Sequence, residues 1–163
     1  MISGLSPQLS DQKHGFLQFS QKLDYGLFLL IELAKKQLPG GFQAEPLSLR
    51  SVAEDHGMSF FFMQKAAFEL RKSGLIQATR GKNGGYVLAR PASEISLKEI
   101  IEILEGPVTV MHCLSAQALN SLCSRQPRCQ MRHGLGTVNQ AIVNIFAETT
   151  LHHLLQPQWK QAV

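Results

Sequence analysis

The stretch Leu49–Arg90, LRSVAEDHGMSFFFMQKAAFELRKSGLIQATRGKNGGYVLAR, decides the fold of this chain. A short apolar stripe precedes Gly57, and a longer stripe at helical spacing runs from Met63 to Leu70. Two such segments joined at a glycine are typical of a helix-turn-helix unit. The first part of the stretch therefore predicts two helices that meet in a tight turn, the second helix being the longer.

Capping signals indicate where the helices begin. Ser51 and Glu54 form a capping-box pattern, and Ser59 is placed to cap the second helix. A further capping box at Ser96 and Glu99 predicts a short helix over residues 96–104. Another helix is predicted over residues 20–38, and its core-facing stripe consists of Leu23, Leu27, Leu30, Ile31 and Ala34.

Two short strands are predicted after the helix pair, over residues 76–80 and 85–89, because the residues between them suit a hairpin turn. Arg80 precedes this turn and Lys82 lies within it. Residues 49–90 hold seven Lys and Arg against three acidic residues, so their net charge of +4 equals that of the whole chain. This concentration of charge favours a nucleic-acid groove as the partner over an ordinary solvated hairpin.

The motif Arg80-Gly81-x-x-Gly84-Gly85-Tyr86, which follows LRKSGL, resembles the wing of the IscR/NsrR/CymR family of bacterial winged-helix transcription regulators. The resemblance extends over residues 20–155. It implies a mainly α fold with a small β wing, namely a winged helix-turn-helix domain followed by a long C-terminal dimerisation helix. It also implies a homodimer that binds double-stranded promoter DNA. Many family members carry an iron–sulfur cluster on three cysteines.

The sequence patterns and the resemblance together divide the chain into five segments. A flexible arm (1–19) precedes the winged helix-turn-helix domain (20–106), and a cysteine-bearing, cluster-binding loop (107–130) leads to the dimerisation helix (131–155) and a tail (156–163). The last helix has an apolar stripe too long for one small domain to cover, which favours a partner helix over packing on its own domain. The stripe consists of Val138, Ala141, Ile142, Ile145 and Phe146.

The expected DNA contacts come from the second helix of the pair, in the major groove, and from the wing, at an adjacent minor groove or at phosphates. Phe61 departs from the family resembled, whose members commonly have a small polar residue there. Phenylalanine cannot donate a hydrogen bond but can contact a thymine methyl group, so the family's operator sequence is not transferred to this chain. The predicted DNA-binding residues are Ser59, Phe61, Gln64, Lys65, Arg80 and Lys82.

All three cysteines of the chain, Cys113, Cys123 and Cys129, lie in or beside one polar loop. Thiolates bind soft metals and hold iron–sulfur clusters, and an odd cysteine count argues against a disulfide framework. We therefore expect a metal or cluster site. The alternatives are three inert apolar thiols and a zinc site completed by His112 or His133.

The resemblance implies a fourth ligand. Cluster-binding relatives have C-x(n)-C-x5-C spacing, which Cys123 and Cys129 keep, whereas the gap from Cys113 to Cys123 is longer than usual. The IscR-like branch has a histidine where this chain has Arg132, and the NsrR-like branch uses a first-helix aspartate of the other subunit, which Asp24 in LDYGL matches. The resemblance thus implies Asp24 beside the three cysteines, and 4Fe–4S more than 2Fe–2S. Asp24 alternatively serves only as a carboxylate at the positive end of its helix.

These patterns and the resemblance together imply a dimeric DNA-binding transcription regulator whose promoter binding is controlled by an iron–sulfur cluster that responds to iron, redox state or nitric oxide. A cluster-free regulator that depends on thiols or zinc is the alternative. No nucleophile–base constellation or phosphate loop is present, which argues against an enzyme. The charge concentration argues against a domain used only for protein contacts. The chain has no apolar run long enough to cross a bilayer and no signal-peptide pattern, so a cytoplasmic location is expected.

Overall fold

The computed structural model describes residues 19–37, 45–81, 84–114 and 129–156. The described chain is mainly helical, with one antiparallel two-stranded sheet. Most of the predicted arm, loop and tail segments lie outside these ranges. The elements are α1 (Gln21–Lys35), α2 (Leu49–Asp55), α3 (Phe60–Lys72), β1 (Ile76–Thr79), β2 (Gly85–Leu88), α4 (Leu97–Leu104), α5 (Gln130–Glu148) and α6 (Leu151–Leu155), with short 3₁₀ turns at Ala92–Glu94 and His112–Leu114.

Helices α2 and α3 form the predicted helix-turn-helix unit. Gly57 joins them with a φ of 62°, a left-handed conformation that glycine adopts without steric cost. The Met58 N–H donates to the carbonyl of Ala53 at 2.8 Å and closes the turn. The predicted stripe of α3 is buried, as expected, and α3 packs against α1. The stripe consists of Met63, Ala66, Ala67 and Leu70.

Helix α1 is buried over a wider face than its predicted stripe. Leu29 and Leu33 are buried although the stripe omitted them, whereas Leu27 and Ile31 are only partly buried. The reason is that α1 contacts α3, α4 and α6 as well as strand β2, so more than one side of the helix meets the core. A single stripe describes a helix that packs on one neighbour and fails for a central one.

The wing is a regular hairpin that is anchored to the chain before α2. Its strands pair antiparallel from Ile76 opposite Leu88 to Thr79 opposite Gly85, so each strand ends one residue earlier than predicted. Leu47 and Tyr86 exchange two backbone hydrogen bonds, at 2.9 and 2.8 Å. This bridge fixes the base of the wing beside the helix-turn-helix unit.

The capping predictions are correct in part. The predicted cap at Ser51 is wrong, because α2 already begins at Leu49 and the Ser51 hydroxyl donates to the Asp55 carboxylate at 3.2 Å. Ser59 does precede the first residue of α3, but its side chain accepts no capping hydrogen bond. The Ser96 hydroxyl accepts a backbone N–H of α4 at 3.2 Å, as predicted.

The prediction of one helix over residues 131–155 is wrong at its C-terminal end. Helix α5 ends at Glu148, and the extended residues Thr149 and Thr150 separate it from α6. Thr149 accepts the Leu97 N–H at 2.7 Å, and the N–H of Leu151 donates to Ile95 at 2.8 Å. These bonds to the start of α4 replace helical ones, and α6 folds back so that Leu151 is fully buried.

Among the described helices, none combines the length and the apolar character needed to cross a membrane.

Candidate nucleic-acid interface and cysteine segment

The outward face of α3 carries large apolar and cationic side chains together. Its residues share one side of the helix and are all exposed, whereas the buried stripe of α3 lies on the other side. Phe61 is 58% exposed and Phe68 is 63% exposed, which is unusual for rings of this size. We name this surface the α3 outer face; it consists of Phe61, Gln64, Lys65, Phe68 and Lys72.

Contacts within the first turns of α3 hold Phe61 in place. The Lys65 ammonium lies 4.3 Å from the centre of the Phe61 ring and 5.9 Å from that of Phe62. The Phe61 and Phe62 rings are 5.6 Å apart with an interplanar angle of 69°. Cation–π and edge-to-face contacts of this kind are each worth about 0.5–1 kcal/mol at an exposed site. Phe61 is thus presented to solvent in a defined orientation.

Tyr25 of α1 anchors the N-terminal end of α3. Its hydroxyl oxygen accepts the backbone N–H of Ser59 at 3.1 Å, and its ring lies 5.8 Å from that of Phe62. The contact satisfies a backbone donor where the Ser59 side chain provides no cap. Sequence reasoning missed this role, because no local pattern pairs residues 25 and 59. The sequence offered one signal, the tyrosine in LDYGL, but that motif was compared with the family only to assign the neighbouring Asp24.

A groove of about 610 Å³ lies along the α3 outer face. Its wall is mostly apolar and includes Tyr86 of the wing, while cationic side chains from α1 and α3 contribute to its lining. An apolar groove bordered by cations suits a polyanion that also exposes apolar groups. The groove is lined by Lys22, Leu49, Phe61, Gln64, Lys65, Phe68, Glu69, Arg71 and Tyr86.

The positive charge of this region is less concentrated than the sequence implied. Arg80 is exposed at the end of β1, as a wing contact requires, and Lys82 lies outside the described residues. Arg90 instead forms an ion pair with Glu99 and donates to the Glu94 carbonyl at 3.2 Å. Its guanidinium therefore connects the end of the wing to α4 and adds little to the field at the α3 outer face.

Close backbone packing leaves no room for a side chain at Gly84 and Gly85 of the wing motif. A Cβ at position 84 would lie 2.5 Å from the Thr79 carbonyl oxygen, and a Cβ at position 85 would lie 2.5 Å from that of Leu47. Both obstacles are backbone atoms, which cannot rotate away. The motif therefore encodes close backbone packing at the base and at the turn of the wing.

The two described cysteines lie at the N-terminal part of α5. Cys113 belongs to the 3₁₀ turn His112–Leu114, which packs on α5, and Cys129 immediately precedes the helix. The Val110 N–H donates to the Asn139 side chain at 2.8 Å and fastens the chain before Cys113 to α5. Both cysteines are free thiols of intermediate exposure, whereas Cys123 lies outside the described residues.

The remaining candidate ligands are not gathered around these cysteines. Asp24 is exposed in the first turn of α1, and His133 is exposed on α5. Within the part of the chain that the structure describes, no three Cys, His, Asp or Glu side chains converge on one point. A site that includes Asp24 therefore needs either residues 115–128 or a second copy of the chain.

Comparisons with known proteins agree with this architecture. Residues 19–157 match the family described as Rrf2, iron-dependent transcriptional regulator. The chain is 38% identical over 98 residues to the HTH-type transcriptional regulator CymR of Bacillus subtilis, covering 60% of this chain and 67% of the relative. It is 38% identical over 96 residues to the regulator IscR of Cereibacter sphaeroides, covering 59% of this chain and 60% of the relative.

A solved structure is similar over most of the molecule. The structure of CymR, described as the global cysteine regulator of B. subtilis, superposes with a TM-score of 0.65 at 32% identity. The match covers 85% of this chain and 96% of that one. The predicted winged-helix fold is therefore confirmed. The relatives are transcriptional regulators and not enzymes, as the sequence predicted.

Proposed function

Because this chain belongs to the Rrf2 family of transcriptional regulators, we propose that it is a homodimer whose binding to promoter DNA is controlled by an iron–sulfur cluster. The observation that carries the DNA-binding part is the α3 outer face, where Phe61 and Lys65 are held in a fixed arrangement beside an anchored wing. The proposed control by a cluster rests on the cysteine segment, and the proposed dimer rests on α5.

The α3 outer face and the wing have complementary roles in the proposed complex. Residues at the N-terminal end of a recognition helix contact base edges, so Ser59, Phe61 and Gln64 would face the major groove. Lys65 supplies charge for a phosphate or for a guanine. Arg80 and Lys82 would contact a flanking minor groove or phosphates, since the Leu47–Tyr86 bridge fixes the base of the wing.

Helix α5 supports a dimer with a second copy of this chain. It has 19 residues, and none of them is fully buried in the part of the chain that the structure describes. Its apolar residues alternate at spacings of four and three, the pattern of a coiled-coil seam. Three of them are 63%, 46% and 56% exposed, in chain order. The seam consists of Met131, Leu135, Val138, Ile142 and Ile145, and the first, third and last are the exposed ones.

Phe146 and Ala141, which the sequence analysis placed in the dimer stripe, have other positions. Phe146 packs against the core of its own domain. Ala141 is exposed, but it does not belong to the alternation of four and three that defines the seam. The proposed interface therefore keeps three residues of the predicted stripe, omits Ala141 and Phe146, and adds Met131 and Leu135.

We assign the cluster ligands to Cys113, Cys123, Cys129 and, from the other subunit, Asp24. The donor chemistry fits, because iron–sulfur clusters are held by thiolates, and the two described thiols are free and partly accessible. When bound, such a cluster supplies a centre whose integrity and redox state respond to iron, oxygen and nitric oxide. The resemblance to the NsrR-like branch, which uses an aspartate ligand, favours a 4Fe–4S cluster over 2Fe–2S. A cytoplasmic location fits this assignment, because a reducing compartment keeps thiols free.

A hydrogen bond of Tyr25 supports the proposal that Asp24 influences DNA binding. Tyr25 follows Asp24 in the chain and holds the N-terminal end of α3 through the Ser59 N–H. Restraint on the first turn of α1 would therefore be transmitted to the residues that face the major groove. In a dimer with fixed half-site spacing, a small reorientation of each α3 changes affinity.

Anaerobic purification tests the cluster assignment. We expect a brown protein with matched counts of iron and acid-labile sulfide, and a colourless one for Cys129→Ala. Asp24→Ala is expected to weaken or bleach the visible absorption. Glu148→Ala should leave the absorption unchanged, because it removes an exposed carboxylate at the C-terminal end of α5, the end opposite Cys129. DNA binding is measured by fluorescence anisotropy on the same samples. A colourless wild-type protein after cluster reconstitution would remove the cluster from the proposal.

A cluster-free thiol regulator is the second candidate. It is favoured by the similarity to CymR, whose structure is described as that of a global cysteine regulator, and by the exposure of the two free thiols. In that case DNA affinity should change between reduced protein and protein treated with a thiol oxidant. The change should disappear in the triple Cys→Ala variant. Metal analysis of the colourless protein separates this candidate from a zinc-dependent one.

A further inference from the structure

We propose that Phe61 makes this regulator select thymine at one position of each half-site, through the C5-methyl group. The inference rests on the proposed DNA binding and adds a specificity-determining contact to it. It concerns a single side chain whose exposure, surroundings and position in the fold are all defined. The proposed contact is apolar and needs no hydrogen bond to a base edge.

The position of Phe61 directs it at a base edge. It is the second residue of α3, opposite the buried stripe, and residues at this end of a recognition helix contact bases. The ring remains 58% exposed in the protein alone, so it is available to a partner. The Tyr25 anchor on the Ser59 N–H fixes this end of α3 against α1.

The chemistry of the ring limits what it can select. Phenylalanine has no hydrogen-bonding group, so it cannot distinguish the donor and acceptor patterns of the major groove. The C5-methyl group of thymine is the apolar feature of that groove. Lys65 occupies one face of the ring at 4.3 Å, and Phe62 contacts it edge-on, so the ring meets the base pair as a restrained apolar surface. A restrained side chain loses less entropy when it binds.

Charge favours DNA over an apolar protein as the occupant of this surface. The groove beside Phe61 has three cations in its lining, Lys22, Lys65 and Arg71, against one acid, Glu69. An apolar partner would leave the excess of cations over the single carboxylate without counter-anions, whereas a duplex supplies phosphates on both sides of the major groove. Phe68 is equally exposed but lies two helical turns later, about 10 Å further along the axis. We therefore assign the thymine contact to Phe61 and not to Phe68.

The test replaces thymine by uracil, which removes the C5-methyl group and keeps every hydrogen-bonding group. Duplexes are first selected from a random-sequence pool by the full-length protein, purified without oxygen. Each thymine of the selected site is then replaced singly by deoxyuridine, and Kd is measured by anisotropy at constant salt. Loss of one buried methyl group should weaken binding about fourfold. We expect this effect at one position in each half-site.

Two variants assign the effect to a residue. Phe61→Ser should bring the thymine-to-uracil ratio at that position to about one, whereas Phe68→Ser should keep the wild-type ratio. Both side chains are exposed, so neither change removes core packing, and circular dichroism verifies the fold. Loss of the ratio in Phe68→Ser with its retention in Phe61→Ser would overturn the assignment.

The outcomes separate this inference from the proposed function. If the protein binds the selected duplexes with the expected salt dependence but no uracil substitution weakens binding, the thymine contact is wrong and DNA binding stands. If no duplex is enriched and binding does not weaken with salt, the proposed function itself fails. A wild-type ratio of about four that Phe61→Ser abolishes supports both.

Discussion

Replacing Gly85 by alanine should detach the wing from the helix-turn-helix unit. A Cβ at this position would lie 2.5 Å from the carbonyl oxygen of Leu47 and 2.6 Å from its carbonyl carbon. Both atoms are backbone, so the clash cannot be relieved by a rotamer change. The strand and the Leu47 segment must separate, and the two hydrogen bonds between Leu47 and Tyr86 lie at that junction.

The size of the effect follows from those two bonds. A backbone hydrogen bond contributes about 1 kcal/mol net, so their loss costs about 2 kcal/mol. The reduced freedom of the unfolded alanine chain offsets about 0.5 kcal/mol of this. The free energy of unfolding should therefore fall by about 1.5 kcal/mol, which lowers Tm by roughly 3–6 °C in a protein of this size.

Thermal unfolding followed by circular dichroism measures the stability, and anisotropy on a selected duplex measures DNA affinity. Gly134→Ala provides the matched control, because a Cβ there meets nothing within 4 Å and the residue lies inside α5. It should raise stability by about 0.8 kcal/mol through helix propensity. A Gly85→Ala protein with the Tm and Kd of the wild type would refute the argument from close backbone packing.

Three further predictions test other parts of the molecule. Tyr25→Phe removes the acceptor of a backbone N–H at the start of α3 and should cost at most about 1 kcal/mol of stability. Anisotropy titrations should show a clear loss of DNA affinity. Unchanged affinity would mean that this hydrogen bond does not contribute to DNA binding. Ile145→Glu places a charge in the proposed dimer seam and should yield a monomer in size-exclusion chromatography with light scattering, whereas Ala147→Glu, exposed outside the seam, should remain dimeric. Lys65→Ala and Arg80→Ala should each weaken DNA binding and reduce the slope of log K against log salt by about one, as lost phosphate contacts do; a slope equal to the wild-type value in both would contradict the docking of α3 and the wing.

The spacing of the cysteines in the sequence predicts only part of the proposed cluster site. Thiol chemistry predicted a soft-metal site from sequence, and the structure brings the turn that contains Cys113 against the helix that begins after Cys129. It does not bring Asp24 to them within the described part of one chain. A ligand from a second subunit leaves no trace in local spacing, so the fourth position stays a prediction that spectroscopy must test.

The sequence by itself determined the elements whose cause is local. The apolar spacing of Met63 to Leu70 defined the buried face of α3, and the turn residues after Thr79 defined the hairpin, because helix periodicity and turn geometry depend on neighbours a few residues away. Only the tertiary structure decided the contacts between distant residues. Arg90 pairs with Glu99 instead of facing DNA, α5 stops at Glu148 because the next residues bond to the start of α4, and Tyr25 holds Ser59. Each of these depends on a partner that the folded chain brings close, and no local pattern encodes the distance to it.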